Sequence, residues 1–350
     1  MLSYKGKNIY EGILKDGNSY RQKYLDSINN FTDKILAESK NKRDAFIENI
    51  VSCQEDYRKK YIDMIGQPVT PYPDYIPNAK TEFVGKDDFC DIYRLQIEVL
   101  PEFWFYGIFM VPFNAKNTPL VIAQHGGGST PEICSDFIRK SNYNFFTKRA
   151  LEKGMAVFAP QLLLWKFDID TGETKEDIGI SFDRWAIDNK LKMAGLSITG
   201  LEIFCIRRSI DYITSLDYID ENRIGMMGLS YGGYFSLYTA AADKRIKSIY
   251  AAGFFNDRTK IDFYDWRYKN SANTFCDAEV AALCAPRRLQ IDVGKNDYVF
   301  NHKYSLTEGE RAEQYYEKFA ASENFSFNLW NGEHRFDESE KGFEFFFDGI

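Results

Sequence analysis

Six residues constrain this chain more than any others: Gly228-Leu229-Ser230-Tyr231-Gly232-Gly233. An apolar run, Arg223-Ile224-Gly225-Met226-Met227, leads into them, and a helix-forming run, Tyr234 to Ala242, leads out. Gly-x-Ser-x-Gly between a strand and a helix marks a strained turn, the nucleophile elbow. Glycines flank the serine because a Cβ there would collide with the neighbouring strand and helix. The serine hydroxyl is left standing at the helix N-terminus, placed to attack a carbonyl carbon. The same pattern also arises by chance as a glycine-rich turn with an idle serine, so three further segments decide the reading.

The first is Gln124-His125-Gly126-Gly127-Gly128, which ends the apolar run Pro119-Leu120-Val121-Ile122-Ala123. His-Gly-Gly-Gly after a strand is an oxyanion-loop pattern. Glycine lets backbone N–H groups turn toward a negative oxygen with no Cβ in the way. The candidate donors are the N–H of Gly126 or Gly127, together with that of Tyr231 just after the serine. His125 is expected to hydrogen-bond backbone and not to act as a base. A phosphate site is not indicated, since Gly128-Ser129-Thr130 lacks the lysine of a P-loop.

The second segment runs Leu289-Gln290-Ile291-Asp292-Val293-Gly294-Lys295-Asn296-Asp297, a strand passing into a loop. Asp297 lies past the strand end, where it can reach a histidine. Asp292 lies inside the strand and is expected to serve local structure. Asp257, after the preceding strand, is the alternative acid. The third segment is Phe325-Ser326-Phe327-Asn328-Leu329-Trp330-Asn331-Gly332-Glu333-His334, an alternating strand, a turn and a histidine. The chain has 3 histidines. His302 follows Asp297 too closely and is expected in a surface loop, which leaves His334 as the candidate base.

These segments, in this order, resemble the α/β-hydrolase superfamily, and within it the esterases related to dienelactone hydrolase and acetyl xylan esterase. Four more stretches are similar to that branch: Tyr61-Ile62-Asp63-Met64-Ile65-Gly66-Gln67-Pro68, Gly107-Ile108-Phe109-Met110-Val111-Pro112, Asp217 to Gly225, and Leu283-Cys284-Ala285-Pro286-Arg287. The resemblance covers residues 60 to 350 or so. One departure is Arg288, where the branch usually has proline; no catalytic consequence is expected. The resemblance implies an α/β fold with a mostly parallel central sheet and helices on both faces. It implies carboxylester hydrolysis through Ser230, His334 and Asp297 and an acyl-enzyme, without cofactor or metal. The substrate would be a small-molecule ester with a short acyl chain, acetylated carbohydrate being one candidate. Three alternatives stay open. Prolyl-peptidase-like chains share the Ser, Asp, His order but usually carry a propeller domain that this sequence lacks. An acyltransferase would use an alcohol in place of water. A non-catalytic binding protein of this fold would be expected to have lost a triad member or the oxyanion glycines.

The net charge of −7 argues against nucleic acid and against anionic membrane surfaces as partners. A hydrophobic content of 44% with 27% charged residues suits a globular chain, and no apolar run approaches the length of a membrane span. Met1 to Asn8 lacks the apolar core of a signal peptide. Cys53, Cys90, Cys134, Cys205, Cys276 and Cys284 show no C-x-x-C spacing. Free, mostly buried thiols in a cytoplasmic protein are therefore expected. The scattered histidines offer no metal-ligand cluster.

Residues 1–80 read as a helical extension with a proline-rich connector, packing on a catalytic domain at 81–350. Phe46, Ile50, Cys53, Tyr57, Tyr61 and Met64 recur at helical steps as one apolar stripe, which Gly66 and Pro68 end. That extension could pack on the core, cap the site or join a homodimer. Phe89–Val99 and Phe103–Val111 read as an antiparallel pair. Strands then follow at Leu120–Gln124, Ala156–Pro160, Arg223–Met227, Ile246–Gly253, Leu289–Gly294 and Phe325–Asn331. Helices alternate with them near Asn142–Lys153, Thr199–Leu216, Tyr231–Ala242, Gly309–Ala321 and Glu338–Phe347. Segment 161–198, with Trp165, Phe167, Trp185 and Met193, is expected to line the pocket. Asp262, Tyr264, Asp265, Trp266, Arg267 and Tyr268 form a second patch, with contact to substrate or a structural role both open.

Overall fold

The computed structural model describes residues 9–68, 74–137, 141–164, 166–168, 173–175 and 183–350. Met1 to Asn8, Val69 to Pro73 of the proline-rich connector and Trp165 lie outside the described residues.

Two helices open the chain, α1 (Ile9–Phe46) and α2 (Ile50–Met64). Three strands follow as a meander, β1 (Asn78–Lys86), β2 (Cys90–Leu100) and β3 (Phe103–Pro112), and then β4 (Thr118–Gln124). After α3 (Pro131–Cys134) and α4 (Phe146–Glu152) come β5 (Ala156–Pro160) and a short hairpin, β6 (Lys166–Asp168) with β7 (Glu173–Lys175). Then follow α5 (Arg184–Met193), α6 (Ile198–Ile213), β8 (Ile219–Leu229), α7 (Tyr231–Ala242) and β9 (Ile246–Ala252). The chain finishes with α8 (Asp277–Cys284), β10 (Arg288–Gly294), α9 (His302–Lys318), β11 (Phe325–Trp330) and α10 (Lys341–Phe347).

The main sheet runs β1-β2-β3-β5-β4-β8-β9-β10-β11. Pairing is antiparallel from β1 to β5 and parallel from β5 to β11. The central strands read as unbroken apolar runs because helices cover both faces. On one face Phe235, Tyr238, Ile203 and Leu283 from α6, α7 and α8 share a core with Tyr57 and Tyr61 of α2. On the other, Phe146, Phe343 and Phe346 from α4 and α10 pack over Val121, Met227 and Tyr250.

The helices α5 and α8 and the β6–β7 hairpin have no counterpart among the expected elements, and β1, α9 and α2 depart from expectation for identifiable reasons. β1 carries no alternating pattern because almost none of it is buried; it is a strand only through its ladder with β2, from Asn78↔Glu98 to Lys86↔Asp91. Its lysines suit an edge that must not recruit another chain. α9 starts at His302, not near Gly309, so His302 is the first residue of a helix rather than part of a loop. Asn301 caps that helix by accepting from the Lys303 N–H at 3.0 Å, and Gly309 sits mid-helix because a Cβ there would lie 2.7 Å from the Phe327 ring. Cys53 leaves the apolar stripe of α2. Its φ of −123° and ψ of 24° break the helical register, and the thiol is exposed while the other five cysteines are buried.

α2 is tied down by polar groups as well as by its stripe. Tyr61 donates to the Tyr238 carbonyl at 2.7 Å, and the buried Arg58 donates to the carbonyls of Ala241 and Leu283. Those carbonyls lie at the C-terminal ends of α7 and α8, where the helices have no acceptor use for them. Replacing Arg58 with Ala takes the guanidinium donor from Ala241 and leaves Leu283 to Arg287 and Gln54. We expect Arg58→Ala to lower the unfolding free energy by about 2–4 kcal/mol. Urea denaturation measures it, and an unchanged midpoint would mean that this docking is not what fixes α2.

Candidate active site

Ser230 stands alone between β8 and α7 with φ 60° and ψ −119°, a strained conformation for a residue with a side chain. Its N–H donates to the Ala252 carbonyl at 2.8 Å and its carbonyl accepts from Tyr234 at 2.9 Å. The strain persists because packing leaves no alternative. A Cβ on Gly232 would overlap the Gln124 carbonyl oxygen of the neighbouring strand. From Ile224 to Ala242 every residue is buried except Ser230, which is half-buried.

The loops after β10 and β11 are laced together. Lys295 N–H donates to the Trp330 carbonyl at 2.9 Å, and Asn296 N–H to that of Gly332 at 2.8 Å. This brings Asp297 and His334 into contact: Nδ1 of His334 lies 2.8 Å from Oδ2 of Asp297. The other carboxylate oxygen accepts from the N–H of Val299 and Phe300, at 2.7 and 3.0 Å. With Nδ1–H donating to a carboxylate, a neutral His334 has Nε2 as its acceptor. The ring rests on Phe300, with centroids 5.8 Å apart, and lies beside Gly253 at the end of β9. A Cβ on Gly253 would be 2.9 Å from Leu229 and 3.5 Å from His334, so the ring sits over the strand end that presents Ser230.

The other acids are occupied elsewhere. Asp257 accepts from the N–H and hydroxyl of Thr259, at 2.9 and 2.7 Å. Asp292 accepts from Tyr250, Gln290 and Asn328, and burial pushes its carboxyl up to about 6.

His125 is fully buried under the oxyanion loop. Its Nε2 accepts from the Leu162 N–H at 2.9 Å, so Nδ1 carries the proton and donates to the Gly126 carbonyl at 2.9 Å. Burial lowers its pKa from 6.5 to about 4. The Gly126 N–H is already committed, donating to the Tyr143 hydroxyl at 2.6 Å. This corrects the expectation that Gly126 is a free donor. Gly126 matters instead by its size: a Cβ there would be 3.2 Å from Cβ of Ser230. The N–H groups of Gly127 and Tyr231 meet no acceptor among the described residues.

Beneath Tyr231 lies a charge cluster that the sequence did not reveal. Arg184 is buried and grips Glu202 with two nitrogens, at 3.0 and 2.9 Å, and Asp265 with Nε at 2.9 Å. Tyr231 donates its hydroxyl to Asp265 at 3.1 Å, and the Leu163 N–H donates to Glu202 at 2.8 Å. Asp265 is thus buried and held by Arg184 and Tyr231. Trp266 is likewise internal, stacked on Tyr234 at 4.3 Å. Arg267 pairs with Asp262 at the surface at 3.1 Å, and Tyr264 stays partly exposed. Trp185 and Met193 are exposed, while the side chain of Phe167 lies outside the described residues.

A nine-stranded mixed sheet that presents a strained serine, a loop acid and a loop histidine at its parallel strand ends decides the architecture. The fold is that of the α/β-hydrolases. The prolyl oligopeptidase family matches residues 207–280, which include the elbow. The chain is 26% identical over 191 residues to "Putative hydrolase YtaP" of Bacillus subtilis (strain 168), a match covering 51% of this chain and 60% of that protein. Among solved structures it is similar to a glucuronoyl esterase from Solibacter usitatus, with a TM-score of 0.60 and 14% identity over 85% of this chain and 91% of that one. It is also similar to acetyl xylan esterase 1 from Thermoanaerobacterium sp. JW/SL YS485, with a TM-score of 0.56 and 15% identity over 85% and 93%. At such identities the α/β-hydrolase likeness is one of fold.

Burial of His125 gives this hydrolase fold an acid sensitivity. The folded ring takes a proton only near pH 4, whereas the unfolded ring does so near 6.5. The unfolded state therefore binds more protons in that window, and stability falls as pH drops through it, by on the order of 3 kcal/mol. His125→Asn should flatten this part of the profile. Unfolding midpoints measured from pH 7 to 4 would contradict the account if both proteins showed the same slope.

Proposed function

We propose that this chain is a serine hydrolase of carboxylic esters. The observation that carries the reading is the 2.8 Å contact of His334 with Asp297, together with a serine held at positive φ at the end of β8. His334 Nε2 takes the Ser230 proton as Oγ bonds to the ester carbonyl carbon. Asp297 holds the ring in the tautomer that can do this and stabilises the imidazolium. The carbonyl oxygen becomes an anion, met by the N–H groups of Gly127 and Tyr231. His334 then returns its proton to the departing alcohol, leaving an acyl-serine. Water, deprotonated by the same ring, releases the acid and restores Ser230.

Short acyl esters are the substrate class we put first, with acetylated carbohydrate as its natural form. The fold neighbours named for acetyl xylan and glucuronoyl esters support that choice. A peptidase reading is favoured by the match to the prolyl oligopeptidase family, which spans the elbow and α7. The two differ in the bond they cleave. We expect turnover of p-nitrophenyl acetate and butyrate above octanoate, and none of a prolyl p-nitroanilide. Preferred cleavage of the anilide would replace the ester reading.

Single substitutions then assign the roles. Asp297→Asn should lower kcat by about 10³–10⁴-fold, and Ser230→Ala should remove the activity. Asp257→Asn and His302→Ala should leave it within about twofold, since neither side chain joins the site. Full activity in Ser230→Ala would end the proposal.

A further inference from the structure

From Asn18 to Ile35 every residue of α1 is exposed; Thr32, Asp33 and Leu36 border clefts against the body, and the helix is first buried on it at Ser39 and Arg43. About 27 Å of helix is therefore open to solvent. Its surface is not that of a solvated helix. Tyr20, Tyr24, Leu25, Ile28, Phe31 and Ile35 are all large, apolar and exposed, Tyr24 at 70% and Phe31 at 65%. An apolar stripe on an exposed helix calls for a partner.

The spacing says what shape the partner has. Tyr24, Ile28, Phe31 and Ile35 follow steps of four, three and four, the a/d pattern of a two-helix seam. Arg21 and Glu38 continue that seam by one step at each end. In a parallel pair of α1 helices Arg21 would face Arg21 and Glu38 would face Glu38. In an antiparallel pair, with a two-fold axis between residues 29 and 30, Arg21 faces Glu38, Tyr24 faces Ile35 and Ile28 faces Phe31. Opposite charges then meet at both ends and apolar layers fill the middle. Of the flanking residues Ser27, Thr32 and Lys34 only one is charged, so no like-charge row opposes the pairing. Leu36, Ser39 and Arg43, which hold α1 to its own body, lie to one side of this seam, so docking on the body and pairing do not compete.

We propose that a second copy of this chain occupies the stripe. The two α1 helices pair antiparallel about a two-fold axis, with the hydrolase bodies at opposite ends of the seam. Such a contact is isologous and closes as a dimer.

Sedimentation velocity of the full chain over a concentration series tests this. The wild type should be dimeric. Ile28→Asp should be monomeric, with an unchanged circular dichroism spectrum and ester turnover. Arg21→Glu should raise the dimer dissociation constant about tenfold, because two like-charge contacts replace two attractive ones. Adding Glu38→Arg should restore it to within about threefold, since the reversed pair is again complementary. A wild type that is monomeric at every concentration, a dimer that survives Ile28→Asp, or a double variant no tighter than Arg21→Glu would each overturn the proposal.

Discussion

Gly232 lies so close to the Gln124 carbonyl that a Cβ would overlap its oxygen, and the site is arranged around that contact. With no side chain between them, the first turn of α7 sits against the end of β4. β4 and β8 run parallel in a register that pairs Gln124 with Gly228, so both strands finish at one level. The elbow and the oxyanion loop therefore leave the sheet side by side. A methyl group at Gly232 would part them and relax the turn that holds Ser230 at φ 60°. The strained residue is kept in place by atoms that have no chemistry of their own, which is the usual way that such strain survives.

A second feature of the fold is its use of arginines, Arg58 buried and Arg287 partly buried, as caps. Arg287 donates to the carbonyls of Ala240, Asp243, Ile246 and Leu283, and so ties the end of α7 to that of α8. Arg58 does the same from α2. Arg184 works differently, joining α5, α6 and the turn around Asp265 beneath Tyr231. Each guanidinium donates to several oxygens at once. Arg287 and Arg58 thus hold the end of α7 away from Ser230, and Arg184 holds the Asp265 turn against Tyr231 at the near end.

The sequence was legible where local chemistry leaves little choice. Gly-x-Ser-x-Gly, the glycines after His125 and the loop positions of Asp297 and His334 mark strand ends by composition alone, and the structure brings Asp297 and His334 into contact. Legibility stopped where the deciding partner is distant in the chain. Nothing near Gly126 announces that Tyr143 takes its N–H. Nothing in Arg184 foretells Glu202 and Asp265, because one arginine at a helix start has no periodicity to read. β1 was silent because an edge strand with little buried surface has no apolar face. The break at Cys53 is a backbone event that helical spacing cannot register.

The central claim is that Ser230 is an activated nucleophile, driven by His334 and Asp297. The most direct measurement is stoichiometric reaction with a fluorophosphonate, followed by peptide mass spectrometry, on wild type, His334→Ala and Asp297→Asn. The account predicts one label per chain, on Ser230, and labelling slowed by orders of magnitude in both variants. A label on another residue, or equal rates in all three proteins, would contradict it.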